Sequence, residues 1–381
     1  MRLPLPAILP NSEATVLIAS ISGRALAAAA RRAGYRVLVA DLFRDADTRA
    51  LAARSAFLPG DLASGIDAAA VPAALAALLA GEFPAAVVLG SGFERHPDLV
   101  DRIAKRWPLA GNDAASIRRV KDPARLAEDC AALGIPHPEI SRILPPGPQS
   151  WLVKTQGAAG GTHVSRAVPG MPPRAGRYFQ RFVPGESISA LFVADRIAVH
   201  VVGFSRQWKA PSFRSPFRYG GAVRLRRFDR NEAARISGWL SALSARTGLV
   251  GLVSADFIRA SDGSHLLEIN PRPGATLDIF DSVDSPLIEA HLGACRGEPF
   301  RVPRFADSMA AMVAYAQAPI ARFPALAWPD WTADRQSAGT TVGDGEPVCT
   351  IFARGKSAAT ATRRLRRQAA ALETAWQGGL S

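Results

Sequence analysis

The residues best suited to chemistry lie in Ser254-Ala255-Asp256-Phe257-Ile258 and, one turn later, in Leu266-Leu267-Glu268-Ile269-Asn270-Pro271-Arg272-Pro273-Gly274. In a strand, side chains alternate between faces, so Glu268 and Asn270 point one way and their apolar neighbours the other. Asp256 on a paired strand meets them there. A pair of carboxylates and an amide oxygen are hard oxygen donors of the kind magnesium takes while leaving positions for phosphate oxygens. The competing reading, a salt-bridged sheet face, crowds Asp256 against Glu268 with no cation between them.

Upstream, Trp151-Leu152-Val153-Lys154 reads as a short strand running into Gly157-Ala158-Ala159-Gly160-Gly161-Thr162-His163. The loop lacks P-loop spacing, yet glycines let backbone amides approach phosphate oxygens with no Cβ in the way. A lysine at the end of a buried strand needs an anionic partner, and a phosphate supplies one. His163 and His265 read as loop or surface histidines rather than catalysts.

These groups must be held by elements that the sequence marks in two styles. The first 110 or so residues alternate short β-rich runs with alanine-rich helices, the pattern of βαβ units on a parallel sheet: strands at 16–21, 36–40 and 85–89, helices at 24–32 and 71–79. The turn Ser20-Ile21-Ser22-Gly23 and the strand-ending Asp41 suit an anion and a ribose, but the glycine fingerprint of a dinucleotide site is incomplete, and a plain strand-to-helix turn is the stronger reading. From Asn112 the texture changes. Helices at 114–120 and 123–133, the latter opened by Pro123, lead into the extended Gly134-Ile135-Pro136-His137-Pro138. Strands follow at 177–183, 188–193, 197–204 and 222–225, then a helix at 231–246, then strands 251–258 and 265–269 joined by Ala260-Ser261-Asp262-Gly263. The whole reads as an α/β unit followed by an α+β unit.

A chain of 381 residues exceeds one ordinary core, so two or three domains sharing a cleft are expected. The formal charge of +13 admits an anionic partner, but no nucleic-acid motif accompanies it, and the run Arg363, Arg364, Arg366, Arg367 reads as the solvated face of a helix. Nucleic acid is therefore disfavoured. The cysteines Cys130, Cys295 and Cys349 are far apart and odd in number, as in a reducing cytoplasm. The opening MRLPLPAILP and the short apolar run after it suit neither a signal peptide nor a membrane helix. Trp208, Trp239, Trp328 and Trp331 read as packing residues.

The glycine loop after Lys154, the motif around Asp256 and Glu268-Ile269-Asn270-Pro271-Arg272 resemble, in order and spacing, the ATP-grasp superfamily. The likeness extends upstream through Asp41, Asp45, Asp47-Thr48-Arg49 and the stretch from Asn112 to Lys121, covering roughly residues 12–300. It implies an ATP-grasp fold with an N-terminal doubly wound pre-ATP-grasp domain at 1–111, an ATP-grasp domain at 112–300 with a nucleotide lid at about 122–183, and a small β-rich C-terminal segment with a helix at 301–381. It also implies roles. Lys154 binds the α- and β-phosphates, and Lys121, in Val-Lys-Asp-Pro, is the second phosphate lysine. Gly160, Gly161, Thr162 and His163 form a mobile flap; Gln180, Arg181, Phe182 and Val183 belong to the hinge that pairs with adenine; Glu186 holds the ribose. Asp256, Glu268 and Asn270 hold magnesium, with manganese as the alternative ion, and Arg272 joins Lys154 in stabilising the transferring phosphoryl group. Arg214, Arg218 and Tyr219-Gly220-Gly221 fall where the family keeps substrate-binding loops.

The activity implied is that of an ADP-forming ligase that activates a carboxylate as an acyl phosphate and joins it to an amine, with an anionic small molecule and an amine or amino acid as partners. Gly345 to Ala353 and the helix after it resemble the tail of biotin carboxylases. The chain departs from them in having no Met-Lys-Met site, and Arg272 is followed by Pro273-Gly274-Ala275-Thr276 instead of a further arginine and histidine. The relatives it resembles suggest glutamate ligation to a precursor of a one-carbon carrier cofactor. A bicarbonate-using carboxylase and a non-enzymatic ATP-binding regulator are the alternatives. A homodimer and a cytoplasmic location complete the expectation.

Overall fold

Short apolar strands alternating with alanine-rich helices build the N-terminal unit of the computed structural model, which describes residues 3, 5, 14–62, 64–147 and 150–378. The opening MRLPLPAILP lies outside the described residues apart from Leu3 and Leu5. The unit runs β1 (Thr15–Ser20), α1 (Arg24–Arg32), β2 (Arg36–Asp41), α2 (Ala46–Leu51), β3 (Arg54–Phe57), a small hairpin β4 (Gly60–Asp61) and β5 (Gly65–Ile66), α3 (Val71–Leu79), β6 (Ala86–Leu89), a 3-10 turn at Phe93–Arg95, α4 (Pro97–Arg106) and β7 (Leu109–Ala110). Its five-stranded sheet has the order β3-β2-β1-β6-β7 and is parallel throughout. Val16, Leu17, Ile18 and Ala19 are all fully buried because helices cover both faces, so they form a continuous apolar run instead of alternating. Strand order reverses between β1 and β6, and at such a point the loops leave a crevice at the carboxyl ends of the strands. There Ser20 and Ser91 bring their hydroxyl oxygens to 3.4 Å.

Asp41 does not serve a ribose. Its carboxylate accepts from the Gly23 N–H at 2.9 Å and the Arg44 N–H at 2.6 Å, and it is fully buried, so it ties two loops together.

Two capped helices follow. Asp113 caps α5 (Ala114–Lys121) through the Ser116 N–H, and Asp122 caps α6 (Pro123–Ala132) through the Ala124 and Arg125 N–H groups. They lead to β8 (Ile140–Ser141), β9 (Trp151–Thr155), β10 (Ser165–Arg166) and β11 (Arg177–Arg181), a small antiparallel sheet in the order β10-β9-β11-β8. Its own core is Trp151, Val153, Ala167 and Phe179. Phe182 and Val183 lie beyond the end of β11.

The main sheet begins with β12 (Glu186–Ala194), β13 (Val199–Lys209) and β14 (Tyr219–Arg224), continues past α7 (Arg230–Thr247) with β15 (Gly251–Ala260) and β16 (Gly263–Asn270), and is backed by α8 (Leu277–Phe280) and α9 (Leu287–Arg296). The C-terminal residues add β17 (Ser308–Tyr315), β18 (Thr332–Ala333), β19 (Pro347–Gly355) and α10 (Ala358–Gly378). All join one eight-stranded sheet in the order β16-β15-β12-β13-β14-β17-β19-β18. The C-terminal strands thus extend the same sheet, and residue 300 lies in the connection between α9 and β17. α10 seats Leu365, Leu372 and Trp376 on it and turns Arg363, Arg364, Arg366 and Arg367 to solvent. Among the described residues no helix is long and apolar enough to cross a membrane. Cys130, Cys295 and Cys349 are buried and form no disulfide.

Candidate active site

The hairpin of β15 and β16 sets the centre of the site. A β-bulge between Asp256 and Phe257 shifts the register set by the turn, so that Asp256 stands directly opposite Glu268 and Ser254 opposite Asn270, and alternation then keeps Asp256, Glu268 and Asn270 on one face. Asn270 Nδ2 donates to Asp256 Oδ2 at 2.9 Å, and Gln207 Nε2, from β13, donates to Asp256 Oδ1 at 3.1 Å. Lys121, the last residue of α5, donates to Asn270 Oδ1 at 2.8 Å and to Glu268 Oε1. Among the described residues no three His, Cys, Asp or Glu side chains gather as metal ligands. Here the donor set is a pair of carboxylates completed by the amide of Asn270.

Their surroundings drive the two carboxylates apart. Burial would raise Glu268, but Lys121 and then Lys154 outweigh it and hold the carboxyl down at about 2. Asp256 has amides instead of an ammonium against it, so burial, followed by the charge of Glu268, pushes it above the usual range. Such a pair, one firmly ionised and one with charge to spare for a cation, fits a hard divalent ion through oxygen donors alone.

The small sheet supplies the opposite wall. Lys154 is buried at the end of β9, donates to Gln180 Oε1 at 3.2 Å, and lies 5.8 Å from the Tyr178 ring centroid. Burial lowers its affinity for a proton, while Tyr178 and Glu268 more than restore it, so the ammonium is retained. Gln180 in turn donates to the Leu267 carbonyl at 3.4 Å, joining this wall to the hairpin. Between the walls lies a narrow cavity lined by Lys121, His137, His163, Tyr178, Gln180 and Glu268 among others. Burial lowers both His137 and His163 to about 4, which leaves them neutral near pH 7. His163 Nδ1 is buried without a hydrogen-bond partner.

The glycine loop bridges the cavity's rim. The Gly160 carbonyl accepts from the Tyr219 N–H at 2.9 Å. Gly161 has φ +73°, and a Cβ there would stand 2.2 Å from the Phe217 carbonyl oxygen, so only glycine fits. Thr162 is exposed.

The hinge residues lie at the end of β11 and just beyond it. The Arg181 and Phe182 N–H groups already donate to the Glu139 and Ser150 carbonyls at 2.9 and 2.8 Å, and the Arg181 side chain is exposed on the face opposite Gln180. Phe182 stacks under the Arg166 guanidinium, 3.7 Å from its ring centroid. Val183 follows, half-buried. Glu186 opens β12 and faces Arg206 and Arg259 at 3.4 and 3.6 Å, so its carboxylate is engaged away from the cavity lining. Arg218 is likewise no free cation: it donates to the Ala210 and Gly345 carbonyls at 2.9 and 2.7 Å and stacks on Tyr315. Arg214 is exposed.

Arg272 reaches across to the parallel-sheet unit, where its Nε donates to Glu94 Oε1 at 2.6 Å. Burial would raise Glu94, but Arg272 and Lys121 hold it below the ordinary range, and its other oxygen accepts from the Gly92 N–H at 2.8 Å. Asn112 fixes the start of the same loop by donating to the Pro271 carbonyl at 2.9 Å. Glu94, Gln207, Tyr178 and His137 escape sequence reasoning. The signal for Glu94, an acid just after Gly90-Ser91-Gly92 at a strand end, becomes readable only once β6 is known to face the Arg272 loop.

Residues 121–276 match the family profile of the ATP-grasp domain. Among solved structures the chain is similar to the biotin carboxylase domain of 2-oxoglutarate carboxylase from Hydrogenobacter thermophilus, solved as a dimer with MgADP, ADP and bicarbonate (TM-score 0.72, 13% identity, 93% of this chain and 88% of that one). It is also similar to L-amino acid ligase from Bacillus licheniformis (0.69, 12%, 93% and 96%). A third similar structure is N5-carboxyaminoimidazole synthetase from Staphylococcus aureus with ADP (0.67, 12%, 93% and 97%). No curated protein matches the sequence.

Proposed function

We propose that this chain, which carries an ATP-grasp domain at residues 121–276 within a fold shared by carboxylases and amino-acid ligases, is an ATP-dependent ligase that activates a carboxylate and transfers its acyl group to an amine. The observation that carries the reading is the convergence of Lys121 and Lys154 with Glu268, Asn270 and Asp256 between the small sheet and the β15–β16 hairpin. Asp256, Glu268 and Asn270 would hold magnesium, or manganese, which when bound supplies charge neutralisation to the phosphates.

Phosphoryl transfer asks the protein mostly for positioning and for cations near the developing charge. Lys154 and Lys121 supply them from opposite walls. An oxygen of the substrate carboxylate attacks the γ-phosphorus of ATP, the bond from that phosphorus to the bridging oxygen breaks, and ADP leaves. The amine then attacks the acyl carbon, phosphate departs with the bonding pair, and the nitrogen gives up its proton to solvent. Arg272, held by Glu94, lies where the acyl phosphate's charge can be met from the parallel-sheet side. The glycine loop, docked on Phe217 and Tyr219, shields the intermediate from water. Adenine then rests on Gln180 and Val183, since the Arg181 and Phe182 N–H groups are spent, and the ribose needs a partner other than an unshared Glu186.

Within this class we favour an amino acid, glutamate first, joined to an anionic cofactor precursor, in a homodimer in the cytoplasm, where cysteines outside disulfides persist. A coupled ADP-release screen over amino acids and carboxylate precursors, with and without bicarbonate, tests it, with Glu268→Ala as the inactive control. ADP release that needs both an acid and an amine is expected, and it should fall at least about a hundredfold in the control. Release with bicarbonate alone would make the chain a carboxylase. Tight MgATP binding with no stimulation by any pair would make it a regulator.

A further inference from the structure

We propose that Lys121 competes with the metal for its own ligands, so that the site admits a divalent ion tightly only when nucleotide phosphates draw the ammonium off Glu268 and Asn270. The inference rests on the reading of this cavity as a Mg-nucleotide site. Its starting point is that the three oxygen donors of the hairpin are already engaged by protein donors. Glu268 Oε1 and Asn270 Oδ1 both accept from Lys121 Nζ, and the Asp256 carboxylate accepts from Gln207 and Asn270. An ammonium and a divalent ion cannot hold the same two oxygens, because like charges at bonding distance repel strongly in a cavity shielded from water.

The amides can turn an oxygen toward an incoming cation, but a lysine ammonium has only donors and must leave. It has somewhere to go. Lys121 lines the cavity together with His163 and Gln180, the residue that accepts from Lys154, and its side chain is a flexible four-carbon stem. Rotation of that stem carries the ammonium toward phosphates held by Lys154 while Glu268 is released.

Until phosphates arrive, the ammonium neutralises the half-buried carboxylate of Glu268, its salt-bridge partner. Lys121 would thus have two seats, one on the metal ligands and one on the nucleotide. Linkage makes the coupling reciprocal: whatever draws the lysine to phosphate raises metal affinity, and the metal raises nucleotide affinity in the same proportion.

The test is a Mn2+ titration followed by loss of the free-ion electron paramagnetic resonance signal, in the full chain without nucleotide. Wild type, Lys121→Met, Lys121→Gln and Lys121→Met/Glu268→Ala are compared, with ADP affinity measured calorimetrically on each. Removing the ammonium is expected to raise Mn2+ affinity at least about tenfold and to weaken ADP binding, and the double variant should lose the gain. The glutamine variant keeps a hydrogen-bond donor for Glu268 without the charge, so it serves if the methionine variant does not fold. Mn2+ affinity no greater in the folded Lys121 variants than in wild type would overturn the proposal while leaving a wild type that binds MgADP intact. A wild type that binds no MgADP would overturn the functional reading itself.

Discussion

Asp256 and Glu268 stand opposite each other on neighbouring strands, yet their carboxyls are driven in opposite directions, because the lysines lie against only one of them. Glu268 falls from 4.5 to about 2, so its pairing stabilises the fold fully above pH 4.5, and that stability is lost as the pH falls toward 2. Glu268→Gln is therefore expected to destabilise the chain by about 3 kcal/mol at pH 6, with the difference shrinking below pH 4.5. Urea midpoints from pH 3 to 6 measure it, and a difference that stays constant across that range would count against the assignment. The shared face of Glu268 and Asn270 is legible in the sequence because alternation fixes it. The pairing of Asp256 with Glu268 is not, since the turn alone would set Asp256 opposite Leu267 and a bulge after Asp256 moves the register by one. Nor is Glu94, since it reaches Arg272 from the far unit, 178 residues away. Arg218 misleads for another reason: a cation in a loop announces its charge but not that the Ala210 and Gly345 carbonyls already accept its donors.

Elements were readable where their pattern was long or strongly marked. The alanine-rich α1 and α3 and the buried β1 show their periods plainly, and α5 and α6 carry Asp caps. Short α2 and edge strand β3 do not, because six and four residues hold too little of any period, and α4 and α9 have no alanine run to advertise them. α2 does carry a cap whose cost is measurable. Asp45 accepts from the Thr48 N–H at 2.8 Å, but burial, then the nearby Asp334 and Asp41, push its carboxyl up to about 6. A raised acid contributes stability below its unfolded value near 3.8 and loses it as the pH climbs through 6. Asparagine caps a helix as well as aspartate and carries no charge. Asp45→Asn is thus expected to gain roughly 1 kcal/mol at pH 7.5 and close to nothing at pH 4, read from thermal melts at each. A gain equal at both would mean that the carboxyl is not held up by its surroundings.

At the scale of the whole molecule, one buried cation ties together parts of the chain that the sequence presents as separate. Arg24, at the start of α1, donates to both oxygens of Asp278 at 2.6 Å and to Asp334 at 2.9 and 3.1 Å. Asp278 belongs to α8 behind the main sheet, and Asp334 lies just past β18 and also accepts from Thr350 at 2.5 Å. The knot thus holds the parallel-sheet unit, the main sheet and the C-terminal strands in one arrangement. That arrangement sets the distance from Glu94 to Arg272. The net charge of +13 does not reveal this, since a net value does not tell which arginines are spent inside. Removing one partner of a buried ion pair leaves the others unpaired at a cost of about 3–5 kcal/mol, whereas neutralising all of them costs far less. Arg24→Met is accordingly expected to destabilise the chain by that amount and to weaken ADP binding, although Arg24 is absent from the lining of the cavity beside Lys121. Arg24→Met/Asp278→Asn/Asp334→Asn should recover most of the stability. If the single variant loses under about 1 kcal/mol, the three parts are held by their apolar contacts, and the ion cluster is incidental to how the units are set.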